Sequence, residues 1–148
     1  MYRLEFHLPR RYRTEQVAAT DMRRISRGRE NRGFFNHNGS FNVPGGQAGQ
    51  ERLVVNFDPV IFLASGLDPT AREEVLDHEV QHYNDFVDLV NPLRRYLQRA
   101  VRRAPWAELH AAWRWFLYDY CYASAQFHRD LGRTSVELCN SPNAPRPY

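Results

Sequence analysis

The sequence predicts an α+β fold in which a small twisted sheet packs on about three helices. Apolar and polar side chains alternate over residues 2–8, as they do in a half-buried strand. Residues 52–63 are rich in β-branched and aromatic residues, which favour strands. Residues 69–131 carry the start and stop signals of long helices. A chain of 148 residues suits a single domain.

The region between the two predicted strands is assigned to a helix and a long loop. Residues 14–27 have apolar positions at helical spacing, which predicts a short helix. Residues 28–49 are rich in Gly, Asn, Ser and Arg, and Pro44-Gly45-Gly46 is a strong turn signal. A short hairpin in this loop would use Phe34, Phe35, Phe41 and Val43. The strand at 52–58 then leads into a turn at Pro59.

Two signals compete for the start of the next helix. Asp68 can cap it, with Pro69 in the first helical position that proline favours. Alternatively, Thr70 and Glu73 can form a capping box. Both signals place the helix start within a few residues of position 69.

Prolines divide the helical region. The first helix runs to about residue 90, Asn91-Pro92 stops or kinks it, and a helix resumes over 93–103. The last helix spans 106–131, after Pro105 and before Gly132. We therefore predict one domain over residues 1–132. Residues 133–148 would form a loosely ordered tail containing Pro142, Pro145 and Pro147.

The composition gives no sign of a membrane span or of a nucleic-acid partner. No apolar run approaches the ~20 residues that a span needs. All 20 basic residues are Arg, but they are scattered and accompany no nucleic-acid-binding motif. The N-terminus lacks the apolar stretch of a signal peptide, which leaves the localisation open among the cytoplasm, export by a signal-independent secretion system and excision from a larger precursor. Cys121 and Cys139 form either one disulfide or two unrelated thiols.

The segment His78-Glu79-Val80-Gln81-His82 carries the clearest chemical signal. Two His four residues apart stand one above the other on a helix, where both imidazoles can bind one Zn²⁺. The Glu beside the first His can take a proton from a metal-activated water without being a ligand. The full motif is expected by chance only roughly 0.01 times in such a chain. The alternative is a solvated helix face with two ordinary histidines.

Through residues 78–82 and the preceding strand, the chain resembles the zincin metallopeptidases, as a class rather than one family. The resemblance covers about a quarter of the chain and implies a minimal zincin-like fold. It makes His78 and His82 zinc ligands and Glu79 the general base. Metzincins continue with a Gly six positions after the Glu and a third ligand three later. Here these positions hold Asp85 and Asp88, so the Gly is missing.

Helix geometry favours His128 as the third ligand. If the helix from 69 to 103 is roughly continuous and turns near 104, the last helix returns antiparallel and brings residues near 126 beside His82. His128 also falls on the predicted inward stripe of that helix, although such a His is often an ordinary core residue. A stop at Pro92 would remove this advantage. The other candidates are Asp119, Asp88 and Glu108, the last because gluzincins use a Glu from a following helix.

Several residues have weaker roles in this hypothesis. Asp85 can hold a ligand imidazole through its other nitrogen, or it is simply solvated. The phenols of Tyr118, Tyr120 and Tyr122 can face a developing oxyanion, although packing is favoured for them. His37 is expected to be exposed. The resemblance also implies an edge strand that aligns an extended peptide, for which 52–57 is the candidate.

The sequence therefore predicts a zinc metallopeptidase that hydrolyses peptide bonds, with a peptide or protein as substrate. Its small size suggests a specialised protease such as a bacterial effector or toxin domain. One alternative is a non-enzymatic, zinc-stabilised module that binds a partner protein, which four protein ligands would favour. A third hypothesis is an Arg-rich nucleic-acid binder, whose binding would weaken steeply with salt. Substrate specificity and oligomeric state are left open.

Overall fold

A computed structural model describes residues 2–44, 51–133 and 138–148. The described residues form nine elements, and the α+β class with three helices is confirmed. In chain order the elements are β1 (Arg3–His7), β2 (Arg13–Val17), α1 (Ala19–Ile25), β3 (Gly33–Asn36), β4 (Ser40–Asn42), β5 (Arg52–Asn56), β6 (Val60–Ala64), α2 (Pro69–Ala100) and α3 (Trp106–Asp130). The predicted turn at Pro44-Gly45-Gly46 lies partly outside the described residues, as does part of the predicted tail.

The strands form two three-stranded sheets rather than one. The first has the order β1-β5-β4 and the second β2-β6-β3. In each sheet the central strand pairs parallel on one side and antiparallel on the other. The predicted hairpin is therefore wrong, because β3 pairs with β6 while β4 pairs with β5. Its two strands exist, but each finds its partner in a different sheet.

Two further assignments differ from the prediction for the same reason, which is long-range strand pairing. Residues 14–17 belong to strand β2 rather than to a helix, because they pair with β6 in parallel register. Strand β6 lies where the sequence predicts a turn after Pro59. Instead, the Pro59 carbonyl accepts a 3.1 Å hydrogen bond from the Arg13 amide and the ladder starts there. Tertiary pairing overrides the local helical spacing of 14–17.

The chain divides into two compact units. One contains Met1–His7, Ser40–Asn56 and Asp85–Tyr148, and the other contains Leu8–Gly39 and Phe57–Asn84. In the first unit the fully buried side chains include Leu53, Val55, Phe86, Leu93, Leu97, Leu109 and Phe116. In the second they include Met22, Val60, Ile61 and Leu63. Each unit thus has its own sheet and its own apolar core.

Helix α2 begins at Pro69 and does not stop at Pro92. The Asp68 carboxylate accepts a 2.9 Å hydrogen bond from the Ala71 amide, so Asp68 caps the helix. An interior proline costs about 3 kcal/mol. Burial of the neighbouring Val90 and Leu93 offsets this cost, since each buried aliphatic side chain contributes about 1.5–3 kcal/mol. The continuous helix assumed for the third-ligand argument is therefore present.

The second half of α2 and helix α3 pack as an antiparallel pair within the first unit. The Phe86 ring lies 6.2 Å from Phe116 and 6.5 Å from Tyr120, between ring centroids. Helix α2 ends at Ala100, and α3 begins at Trp106 after a short turn. No helix among the described residues is long and apolar enough to cross a membrane.

The described part of the C-terminal tail packs on the helices, which corrects the expectation of a loose tail. Cys121 of α3 and Cys139 form a disulfide, which settles the alternative that the sequence left open. The Trp115 indole donates a 3.1 Å hydrogen bond to the Ala144 carbonyl. Pro142 is buried. Proline content alone missed this order, because the anchoring side chains lie on distant helical residues.

His37 occupies the turn between β3 and β4 and is half-buried rather than exposed. Its Nδ1 accepts a 2.9 Å hydrogen bond from the Gly39 amide, and its ring packs edge-on against Phe57 at 5.7 Å. Burial lowers the pKa of His37 to about 4 from its ordinary 6.5. A protonated Nδ1 could no longer accept from Gly39, so the folded state favours the neutral ring.

We expect His37 to make the protein less stable in mild acid. Because its pKa falls on folding, the unfolded chain takes up the proton first, so the free energy of unfolding decreases between about pH 6.5 and 4 and levels off below that. Urea unfolding at pH 7 and pH 4.5 should show a smaller pH-dependent loss in His37→Asn, which keeps a side-chain acceptor but does not titrate. Equal losses in both proteins would contradict this assignment.

Candidate metal centre

Helix α2 places His78, Glu79 and His82 on two adjacent turns of the second unit. The Nε2 atoms of the two histidines lie 3.2 Å apart, and their ring centroids are 4.9 Å apart. His82 is 5% exposed, and the His78 side chain is 14% exposed. The predicted pair therefore converges on one point, in a setting largely shielded from water.

The separation of the two nitrogens fits a shared metal ion. Two nitrogens bound to zinc at about 2.0–2.1 Å in tetrahedral geometry lie about 3.3 Å apart. The 3.2 Å between the two Nε2 atoms matches this edge of the tetrahedron. The histidine rings therefore require little rearrangement to bind one ion together.

His128, the predicted third ligand, belongs to the same cluster. One ligand atom from each of His78, His82 and His128 lies within 4.8 Å of the other two. These three close histidines can hold a metal ion. His128 lies in the last turn of α3.

The other predicted third ligands lie outside this cluster of described residues. Both carboxylate oxygens of Asp119 accept hydrogen bonds from the Arg146 guanidinium, at 2.7 and 2.9 Å. Glu108 is exposed in the first turn of α3, and Asp88 is exposed on α2. Asp119 is thus committed to an ion pair with the tail.

Glu79, the predicted general base, is buried beside the histidines. It is 3% exposed, and its Oε1 lies 3.8 Å from the His78 Nε2. Within the second unit its side chain runs against the backbone of Gly33, the first residue of β3. A Cβ on Gly33 would lie 3.3 Å from Glu79 Cγ and 3.5 Å from Glu79 Oε1. The carboxylate is therefore held by close approach of a strand.

Gly33 is the residue of this site that the sequence did not reveal. Its signal was available, since a glycine beside aromatic residues in a strand often marks a close approach of other atoms. The composition of 28–49 instead predicts a loop, in which a glycine carries no such meaning. Nothing in the local sequence specified that its neighbour would be Glu79.

Gly33→Ala is expected to destabilise the second unit by about 1–3 kcal/mol, as overpacking does. The new methyl group would clash with Val75 Cγ1 and crowd Glu79 Cγ. The smaller side chain of Val75→Ala should relieve the clash, so the double variant should recover stability relative to the sum of the single changes. Urea unfolding of the four proteins measures this coupling, and purely additive losses would contradict the proposed contact.

The tyrosines with weaker predicted roles pack against other aromatic side chains. Tyr120 packs edge-on against Phe86, while Tyr118 contacts the rings of Trp115 and Tyr122. Asp85 is half-buried one turn after His82.

The proposed edge strand at 52–57 is wrong. Its core, β5, is the central strand of its sheet, with β1 on one side and β4 on the other. An added peptide strand therefore has no place beside it. An apolar run such as Leu-Val-Val is typical of a buried central strand, which agrees with the position of β5.

Comparison with family models, with curated proteins and with solved structures found no match for this chain.

Proposed function

We propose that this protein is a zinc-dependent hydrolase that cleaves peptide bonds. His78, His82 and His128 would hold the zinc ion, and Glu79 would act as general base. The observation that carries the proposal is the buried Glu79 carboxylate beside two histidines whose Nε2 atoms lie 3.2 Å apart. On an ordinary solvated helix face, the carboxylate would be exposed and would not lie beside two converging histidines.

The donor set favours zinc. Imidazole nitrogens suit zinc well, and catalytic zinc sites commonly take three protein ligands, including sets of three histidines. Among the described residues the cluster contains three histidines, which leaves one tetrahedral position for water or substrate. When bound, zinc would lower the pKa of a water molecule to about 7 and polarise a carbonyl group.

Glu79 is suited to move the proton. Its carboxylate would accept a proton from the attacking water and then deliver it to the departing amine, a contribution worth about 10²–10⁴-fold in rate. Its burial excludes bulk water, which strengthens its electrostatic interactions. The packing against Gly33 limits the positions that the carboxylate can adopt.

An extended peptide is the substrate class that the second sheet suits. Among the strands that the structure describes, β3 lies at the edge of that sheet. The Arg32 carbonyl accepts a hydrogen bond from the Ala64 amide, so in the antiparallel ladder the next residue, Gly33, directs its N–H and C=O away from β6. A peptide added along β3 would therefore pass the residue that packs on Glu79.

The alternative is a zinc-stabilised module without catalysis, and one experiment separates the two. Zinc-loaded protein would be incubated with a library of fluorescence-quenched peptides, with and without the chelator 1,10-phenanthroline. If the protein is the proposed hydrolase, it should cleave peptides, the chelator should abolish this cleavage, and added zinc should restore it. Tight zinc binding without cleavage of any library member would favour the binding module.

A further inference from the structure

The C-terminal segment 138–148, called here the strap, contacts helix α3 at several points within the first unit. It contains three prolines and no regular secondary structure. Proline fixes φ, so such a segment loses less conformational entropy when it docks than most sequences do. The strap therefore resembles a bound peptide ligand in composition, although it is part of the chain.

Arg146 is the central anchor of the strap. Its guanidinium donates two hydrogen bonds to the Asp119 carboxylate and lies 4.2 Å from the Trp115 ring centroid. Bidentate pairing and stacking together recognise arginine rather than any cation. The Asp119 side chain is 23% exposed, so this ion pair is only partly screened by water.

Two aromatic contacts flank this anchor. The Trp115 indole holds the Ala144 carbonyl, and the Tyr148 ring stacks on Tyr96 of α2 with centroids 5.3 Å apart. The surface formed by Tyr96, Trp115, Tyr118 and Asp119 is called here the strap groove. It combines aromatic rings, an indole donor and a carboxylate, which are the features with which proteins recognise proline-rich segments.

Nearer the disulfide, the strap leaves part of the α3 surface uncovered. A shallow depression of about 260 Å³, open to solvent, lies beside the disulfide where the strap meets α3. Its lining includes Leu117, Tyr118, Cys121, Leu138, Cys139 and Pro142. A peptide with a larger apolar side chain at the position of Pro142 could fill this space.

We propose that the strap groove is a binding site for proline-rich protein segments that carry an arginine, and that the strap occupies it until the Cys121–Cys139 disulfide is reduced. A dithiol reductant would supply two electrons and two protons, becoming a disulfide itself and leaving two cysteine thiols. Loss of the cross-link raises the conformational entropy of the undocked strap. For a loop of this size, the equilibrium constant for docking should fall by a factor of about 100. This inference does not depend on the metal centre.

Binding in trans tests the groove. The full-length variant Cys121→Ser/Cys139→Ser/Arg146→Ala has no cross-link and a disabled strap. A fluorescein-labelled peptide with the sequence of residues 140–148 should bind this variant saturably. The same peptide should bind oxidised wild type, whose groove is filled, with an affinity about 10-fold or more lower. Adding Asp119→Asn to the variant, or replacing the arginine of the peptide by alanine, should weaken binding by a similar factor.

Two results would overturn the proposal. One is equal binding to oxidised wild type and the variant, or binding that ignores Asp119→Asn, since the peptide would then bind elsewhere. The other is no saturable binding to a variant that circular dichroism shows to be folded.

A second measurement uses the wild-type chain, so it does not depend on the folding of the variant. The Trp115 indole N–H resonance, identified by its loss in Trp115→Phe, should shift and exchange faster with solvent after reduction by dithiothreitol. An unchanged resonance after verified reduction would show that the disulfide does not control the strap.

Discussion

Replacing Glu79 by Gln is expected to lower the rate of peptide hydrolysis by about 10²–10⁴-fold, the usual contribution of a general base. The amide has the volume of the carboxylate but cannot accept the proton of the attacking water. Because Glu79 is assigned as the base rather than a ligand, bound zinc should stay at about one ion per chain. The measurement pairs the rate on a cleaved peptide with zinc content by elemental analysis.

A matched control keeps this result specific. Glu73 lies on the same helix but is exposed, so Glu73→Gln makes the same chemical change away from the cluster. It should leave both the rate and the zinc content near wild type. Full activity in Glu79→Gln would exclude the mechanism. Loss of zinc in that variant would instead make Glu79 a ligand or a structural neighbour of the site.

The helices could be predicted largely from the sequence because their signals are local. Asp68 and Pro69 mark the start of α2 at the residue where it begins. The possible helix stop predicted at Pro92 does not occur. The cost of a proline in a helix is local, whereas the burial of Val90 and Leu93 that offsets this cost is a tertiary property. The same limitation hid strand β2, whose stability comes from pairing with residues more than 40 positions later.

The residues of the candidate site also divide into those that local sequence signals predict and those that depend on tertiary packing. His78, Glu79 and His82 follow from helical spacing alone. His128 required one further assumption, the antiparallel return of α3, which the Phe86 contacts with Phe116 and Tyr120 bear out for the first unit. Gly33 could not be deduced, because its position beside Glu79 depends on the register of β3 on β6.

Removing a single histidine of the cluster is expected to have the second large effect, on metal binding and on stability together. Wild type should bind about one zinc per chain. His78→Ala and His82→Ala should lose this zinc ion. His128→Ala should lower the zinc affinity by more than the about 10–100-fold that is typical when a residue contacting a metal ligand, and not the metal itself, is removed. At free zinc 1,000-fold above Kd, binding adds about 4 kcal/mol to the free energy of unfolding, or roughly 8–16 °C in Tm.

His110 provides the control for this series. It lies on α3, as His128 does, but is exposed and stacks on Trp106 at 5.6 Å. His110→Ala should therefore keep the wild-type zinc content and the zinc-dependent rise in Tm. Zinc binding unchanged in His128→Ala would move the search for the third ligand away from α3's last turn. No zinc in wild type, even after reconstitution, would exclude the hydrolase. The buried Glu79 would then be a structural residue, because the chemistry proposed for it requires the metal that the three histidines would hold.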